Sequence, residues 1–113
     1  MQRKYDKNNI FRKIIDGLLP AEKVYEDEDF LAFNDVNPKA PTHILLLPKR
    51  NFISFDDFAK ESGGERIARF FKIAQWIAEE KKLSSYRIAA NCGEGMGQEV
   101  FHFHLHIMGH GEE

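Results

Sequence analysis

Four of the five histidines, His102, His104, His106 and His110, stand among the last twelve residues. The first three alternate with Phe103 and Leu105 and are flanked by Phe101 and Ile107. Residues two apart on a strand share a face. The alternation therefore predicts a row of three imidazoles, with Phe101, Phe103, Leu105 and Ile107 buried behind it. Imidazole is neutral and nucleophilic near neutral pH, its reference pKa being about 6.5. A ring nitrogen can take a phosphoryl or nucleotidyl group and lose it to water, which divides one hard displacement into two easier ones. His104, with an imidazole on either side, is the expected attacker. Its neighbours can donate to phosphoryl oxygens and to a leaving group.

Two other readings of the row stay open. A strand can carry a histidine-rich polar face with no chemistry, although three rings in strict alternation exceed what a solvated face needs. Two of the rings can also reach one zinc, with Zn–N bonds of about 2.0–2.1 Å. All three cannot, because His102 and His106 would stand roughly 13 Å apart along an extended strand. A metal would then need further ligands such as His43.

Ahead of the row, Gly93-Glu94-Gly95-Met96-Gly97 is a glycine-rich turn. Its backbone N–H groups can approach an anion, so it reads as a phosphate cradle or as a plain connector. His43 follows Pro41-Thr42. It is either a strand-end histidine bonded to backbone or, if its strand lies beside the last one, a partner that orients a ring of the row. Asp35 is either an Asx-turn former or an acceptor for sugar hydroxyls.

The elements that must hold these groups are legible as patterns. Asn8 or Asn9 can cap a first helix with Phe11, Ile14, Ile15 and Leu18 on one face, closed by Gly17 and Pro20. Strands are expected around Lys23–Glu26 and Phe30–Asn34, joined as a hairpin through Asp27-Glu28-Asp29. Asn34 to Pro41 reads as loop, His43 to Leu47 as a third strand, and Ser54 to Lys60 as a short helix capped by Ser54. Ser62-Gly63-Gly64-Glu65 matches a capping box for the strongest helix, with Ile67, Phe70, Phe71, Ala74, Ile77 and Ala78 on its buried face and Ile73, Trp76 and Glu80 on a second flank. A fourth strand is expected at Tyr86–Asn91 and a fifth from about Gln98 to Met108. The order predicts an α+β domain: a five-stranded antiparallel meander with two principal helices on one side.

Composition bounds the function. The 113 residues suffice for one core, so 1–113 reads as a single domain. With 42% hydrophobic and 30% charged residues the chain has the balance of a soluble globular protein, and a net charge of −2 argues against a nucleic-acid partner. No apolar run approaches the roughly 18 residues of a membrane span, and the first nine residues offer no signal-peptide core. The single cysteine, Cys92, excludes an intrachain disulfide and suits a reducing, cytoplasmic setting. Ten phenylalanines leave apolar surface for a pocket or a partner.

The run Gly97-Gln98-Glu99-Val100-Phe101-His102-Phe103-His104-Leu105-His106-Ile107-Met108 resembles the signature of the histidine triad (HIT) family, and Phe33 to Lys49 resembles the upstream block of its Hint branch, so that the likeness runs from about Asn9 to Gly109. The resemblance implies two five-stranded sheets joined in a homodimer as one ten-stranded sheet. It also implies hydrolysis of purine nucleoside phosphoramidates of the AMP type, and of acyl-adenylates, with no cofactor or metal. By position, His104 would be the nucleophile that becomes nucleotidylated, and His106 would contact the phosphate and bridging atoms. His102 and His43 would complete a relay that orients His104 and helps protonate the leaving amine. Asp35 would hold the ribose hydroxyls, and Ile10, Phe11, Ile14, Phe33 and Val36 would line the base pocket. Asn91, Gly97, Gln98, Glu99 and Val100 would surround the phosphate. Glu99 replaces a serine of the animal Hint proteins, as in bacterial relatives, so only its backbone could donate to phosphate. Retention of His106 favours water as the final acceptor. The dinucleoside polyphosphate hydrolase branch shares the triad and is the nearest enzymatic alternative; a nucleotide- or zinc-binding module without catalysis is the other.

Overall fold

The computed structural model describes residues 3–111. Its elements are α1 (Ile10–Ile15), β1 (Lys23–Glu26), β2 (Phe30–Asn34), β3 (Thr42–Pro48), α2 (Phe55–Glu61), α3 (Gly64–Glu80), β4 (Leu83–Ala89) and β5 (Leu105–Gly111). The expected α+β fold with one five-stranded antiparallel sheet is present, but the strand order is β1-β2-β3-β5-β4. It is therefore not a simple meander. The α2–α3 connection carries the chain past a vacant lane to the far edge, and β5 returns to fill that lane. Sequence polarity explains the choice: Ser84, Ser85, Tyr86 and Arg87 of β4 tolerate an edge, whereas Leu105 and Ile107 of β5 are buried.

Helices cover both faces of the sheet, not one. On one face Phe30, Ala32, Ile44, Leu46, Leu105 and Ile107 pack with Phe58 of α2 and with Phe70, Ile73, Ala74 and Ile77 of α3. On the other, Leu31, Phe33, Leu45 and Leu47 close around Phe11 of α1. β2 and β3 are near-continuous apolar runs, and such strands need cover on each side.

Several local boundaries depart from the sequence reading. α1 is only six residues long, capped by Asn9 accepting from the Arg12 N–H at 2.9 Å, and Leu18 lies beyond it, 71% exposed. The capping box belongs to α2, where Ser54 and Asp57 exchange side-chain and backbone bonds. The Ser62–Glu65 box does not form, because Ser62 closes α2 through its N–H to the Phe58 carbonyl and leaves Gly63 as the α3 cap. Along α3, Ile73 is on the buried face and Phe71 is exposed; Trp76 is also exposed, edge-on to Tyr25. β4 starts three residues early, at Leu83, and β5 begins only at Leu105. Residues 98–104 lie outside the sheet: β3–β5 pairing stops at Leu46 and Leu105, two residues before β3 ends at Pro48, and the Phe103 N–H bonds the Phe52 carbonyl instead, at 2.7 Å.

Candidate active site

β5 lies between β3 and β4, so His106 has Leu45 on one side and Ala89 on the other, while His43 stands opposite Met108. His102 and His104 precede the strand. The three rings therefore do not form one row. His102 and His104 are each anchored to a backbone carbonyl, His106 is held by the His43 ring, and these partners fix the protons.

The His104 Nδ1 lies 2.7 Å from the His102 carbonyl. A carbonyl only accepts, so Nδ1 carries the proton and Nε2 carries the lone pair. No fully buried side-chain nitrogen or oxygen lacks a partner among the described residues, so the unbonded Nε2 opens toward solvent. His43 accepts the Lys39 N–H on Nδ1 at 3.0 Å, which leaves its Nε2–H to donate to His106 Nδ1 at 2.9 Å. His106 is thereby set with a free Nε2–H. The His102 Nε2–H donates to the Pro48 carbonyl at 2.6 Å, and its Nδ1 accepts from the Tyr5 hydroxyl at 2.6 Å. His102 touches His104 through its carbonyl, not through its ring.

Burial keeps all four rings neutral. It is the largest cause of a lowered pKa in each, carrying His102 and His106 down to about 4 and pushing His43 and His104 down as well. The Asp35 carboxylate, 3.4 Å from His43 Nε2, opposes the shift at His43, His104 and His106.

His43, His104 and His106 open into a cleft of about 590 Å³, a size that suits a small organic ligand. One wall is apolar, from Ile10, Phe11, Ile14 and Phe33, with the Phe11 ring edge-on to His104 at 4.8 Å. Val36 stands at the mouth, 89% exposed. Asp35, Asn91, Gly97, Glu99 and Val100 line the remainder with His43, His104 and His106. Asp35 also accepts the Asn37 N–H at 2.8 Å, so it makes the Asx turn and still reaches the cleft.

Two predicted residues lie elsewhere. His102 is fully buried outside the cleft. Gln98 is buried, and its carboxamide donates to the Ile53 and Val100 carbonyls and accepts the Gly93 N–H. It braces the glycine turn and does not face the site, because buried amide groups must be satisfied locally. Within that turn Glu94–Met96 form one 3₁₀ turn ending at Gly97, whose φ of +91° favours glycine. Sequence reasoning missed Tyr5, the Pro48 carbonyl, and the cleft residues Lys39 and Arg87. None carries a periodic or motif signal; only the tertiary fold brings them in.

A metal would find one candidate set among the described residues. Asp35, His43 and His106 each offer a donor atom, all within 4.8 Å of one another. The His43–His106 hydrogen bond already occupies two of those atoms, and an ion would have to break it.

Comparisons with known proteins agree with this fold. The HIT domain model matches residues 17–113. An uncharacterised HIT-like protein of Rickettsia prowazekii is 46% identical over 107 residues, covering 93% of this chain and 89% of its own length. A HIT family hydrolase from Legionella pneumophila superposes with a TM-score of 0.85 at 39% identity, covering 93% and 95% of the two chains. A histidine triad protein from Clostridium difficile gives 0.83 at 39% identity, covering 100% and 96%. The anchored histidines, the sheet that presents them and these likenesses place the chain in the HIT family.

Proposed function

We propose that this protein is a nucleotide hydrolase of the Hint-like branch, cleaving purine nucleoside phosphoramidates of the AMP type and acyl-adenylates through a nucleotidyl-His104 intermediate. The carrying observation is the 2.7 Å bond from His104 Nδ1–H to the His102 carbonyl, which reserves Nε2 for attack. In the first step Nε2 bonds to phosphorus and the P–N bond breaks, its electron pair leaving with the amine nitrogen. The departing nitrogen takes the His106 Nε2 proton to leave as the amine, and the water of the second step returns a proton to that ring. Water then attacks phosphorus and the P–Nε2 bond breaks, releasing AMP and restoring the ring. Over the cycle water supplies the hydroxyl to phosphorus and the hydrogen to the amine.

The rest of the cleft supports the same reading. Its apolar wall suits a base, Asp35 suits the ribose hydroxyls, and the Gly97–Val100 backbone suits the phosphate. The reading includes a cytoplasmic homodimer that needs no metal. Mass spectrometry of protein quenched with a slow adenosine phosphoramidate is expected to find the nucleotidyl group on His104. His104→Ala is expected to abolish turnover while retaining AMP binding, and a P-chiral substrate should be hydrolysed with retention. Inversion, or full activity in His104→Ala, would falsify the mechanism.

The Asp35, His43 and His106 donor set supports a second reading, a metal-binding module. Full activity in excess chelator counts for the hydrolase; loss of ligand binding on metal removal counts for the module.

A further inference from the structure

Residues 3–5 cross the chain immediately ahead of the nucleophile. The Tyr5 hydroxyl lies 2.6 Å from His102 Nδ1, and its ring meets the imidazole edge-on with centroids 5.7 Å apart. Arg3 stacks 3.7 Å over the Phe101 ring and pairs with Glu94. His102 is fully buried, with its Nε2–H committed to Pro48. The imidazole thus joins three separate segments: the N-terminal run, the end of β3 and the approach to β5. Both ring nitrogens are occupied, so the ring exchanges no proton with a ligand in the cleft. Its backbone carbonyl is what His104 sees, and the direction of that carbonyl sets the direction of Nε2.

We propose that Tyr5 is a positioning residue for the nucleophile: its hydroxyl clamps the His102 ring against Pro48 and thereby holds the carbonyl that orients His104. The proposal rests on His104 being the nucleophile. The clamp is specific to Tyr5, because the Arg3–Glu94 pair has side chains 46% and 70% exposed and such surface pairs contribute little. Without the hydroxyl, a buried acceptor loses its partner and the ring is held at one nitrogen instead of two, by Pro48 alone. Small errors in nucleophile placement are expensive in rate, with a misplacement of about 1 Å worth on the order of a hundredfold.

Tyr5→Phe keeps the ring and its edge contact and removes only the hydroxyl. The expected result is a roughly tenfold fall in the single-turnover rate of nucleotidyl transfer to His104, with KM and AMP affinity within twofold of the parent. The imidazole Nδ1–H of His104 should also exchange with solvent faster by NMR, a readout that does not need the protein to be an enzyme. Absence of a His104 adduct in the parent protein would sink the nucleophile reading while the exchange rate still judges the clamp. Unchanged transfer and exchange rates, or a loss confined to melting temperature, would overturn the role given to Tyr5.

Discussion

The proton on each histidine is set by a group that cannot negotiate. Main-chain carbonyls of residues 48 and 102 only accept, and the Lys39 N–H only donates, so the tautomers of His102, His104 and His43 follow, and through His43 that of His106. Burial then holds the rings neutral, and this fixes the pH dependence. The acid limb of activity should lie below pH 6.5, the ordinary histidine value, because His104 is shifted down and His106 to about 4. A pH profile of kcat/KM should be flat from pH 8 to below 6.5; a midpoint at or above 6.5 would contradict neutral, buried rings. Stability follows the same sign. Between about pH 6.5 and 4 the unfolded chain binds protons that folded His102 refuses, so stability is complete above that window and is lost as pH falls through it. For His102 the difference is on the order of 3 kcal/mol. Scanning calorimetry should therefore show a melting temperature level from pH 7 to 8 and falling steeply toward pH 4.

At the scale of elements, β5 is held against β4 at a point where no side chain fits. A Cβ on Gly109 would lie 2.4 Å from the Ser85 carbonyl oxygen and 2.5 Å from the Tyr86 Cβ. Gly109→Ala must open the β4–β5 pair beside the site, so we expect it to lower the unfolding free energy in urea by about 3 kcal/mol, at the upper end for overpacking. A loss under 0.5 kcal/mol would show that the strands yield freely. β1, β2 and β3 can be placed from the sequence because runs of four to seven residues between turn formers leave no length for a helix. The ends of β4 and β5 were not legible. Alternation from Phe101 to Ile107 looks continuous in sequence, yet the β3–β5 pairing stops at Leu105, and Phe103 and His102 bond the Phe52 and Pro48 carbonyls instead. The same break decides the site. Type and spacing identified His104 and His106 as chemistry, and the pairing of β3 with β5 was needed to bring in His43. The burial of His102 and Gln98 depended on contacts with residues 48 and 53, which no local pattern encodes.

At the scale of the whole molecule, the two edges of the sheet are unlike. β1 is four residues long and carries the Lys23–Glu26 ion pair, a short and charged edge that resists further pairing. β4 is seven residues long, exposed from Ser84 to Ile88, with Tyr86 and Ile88 47% and 48% exposed on the face shared with α3. A long exposed edge with apolar side chains is what a second copy would cover, and pairing of β4 with β4 would give the proposed ten-stranded sheet. Sedimentation equilibrium should report a dimer, and Ile88→Asp should shift it to monomer; a parent protein that is monomeric at all concentrations would refute the pairing. The consequence reaches the chemistry. Side chains alternate along β4, so Arg87 and Ala89 line the cleft while Ile88 faces away from it. Ala89 flanks His106 directly, so freeing the β4 edge loosens one wall of the site. The Ile88→Asp monomer should accordingly lose several-fold in kcat/KM although the altered side chain never meets the ligand, and full activity in that monomer would show that each protomer's cleft is rigid on its own.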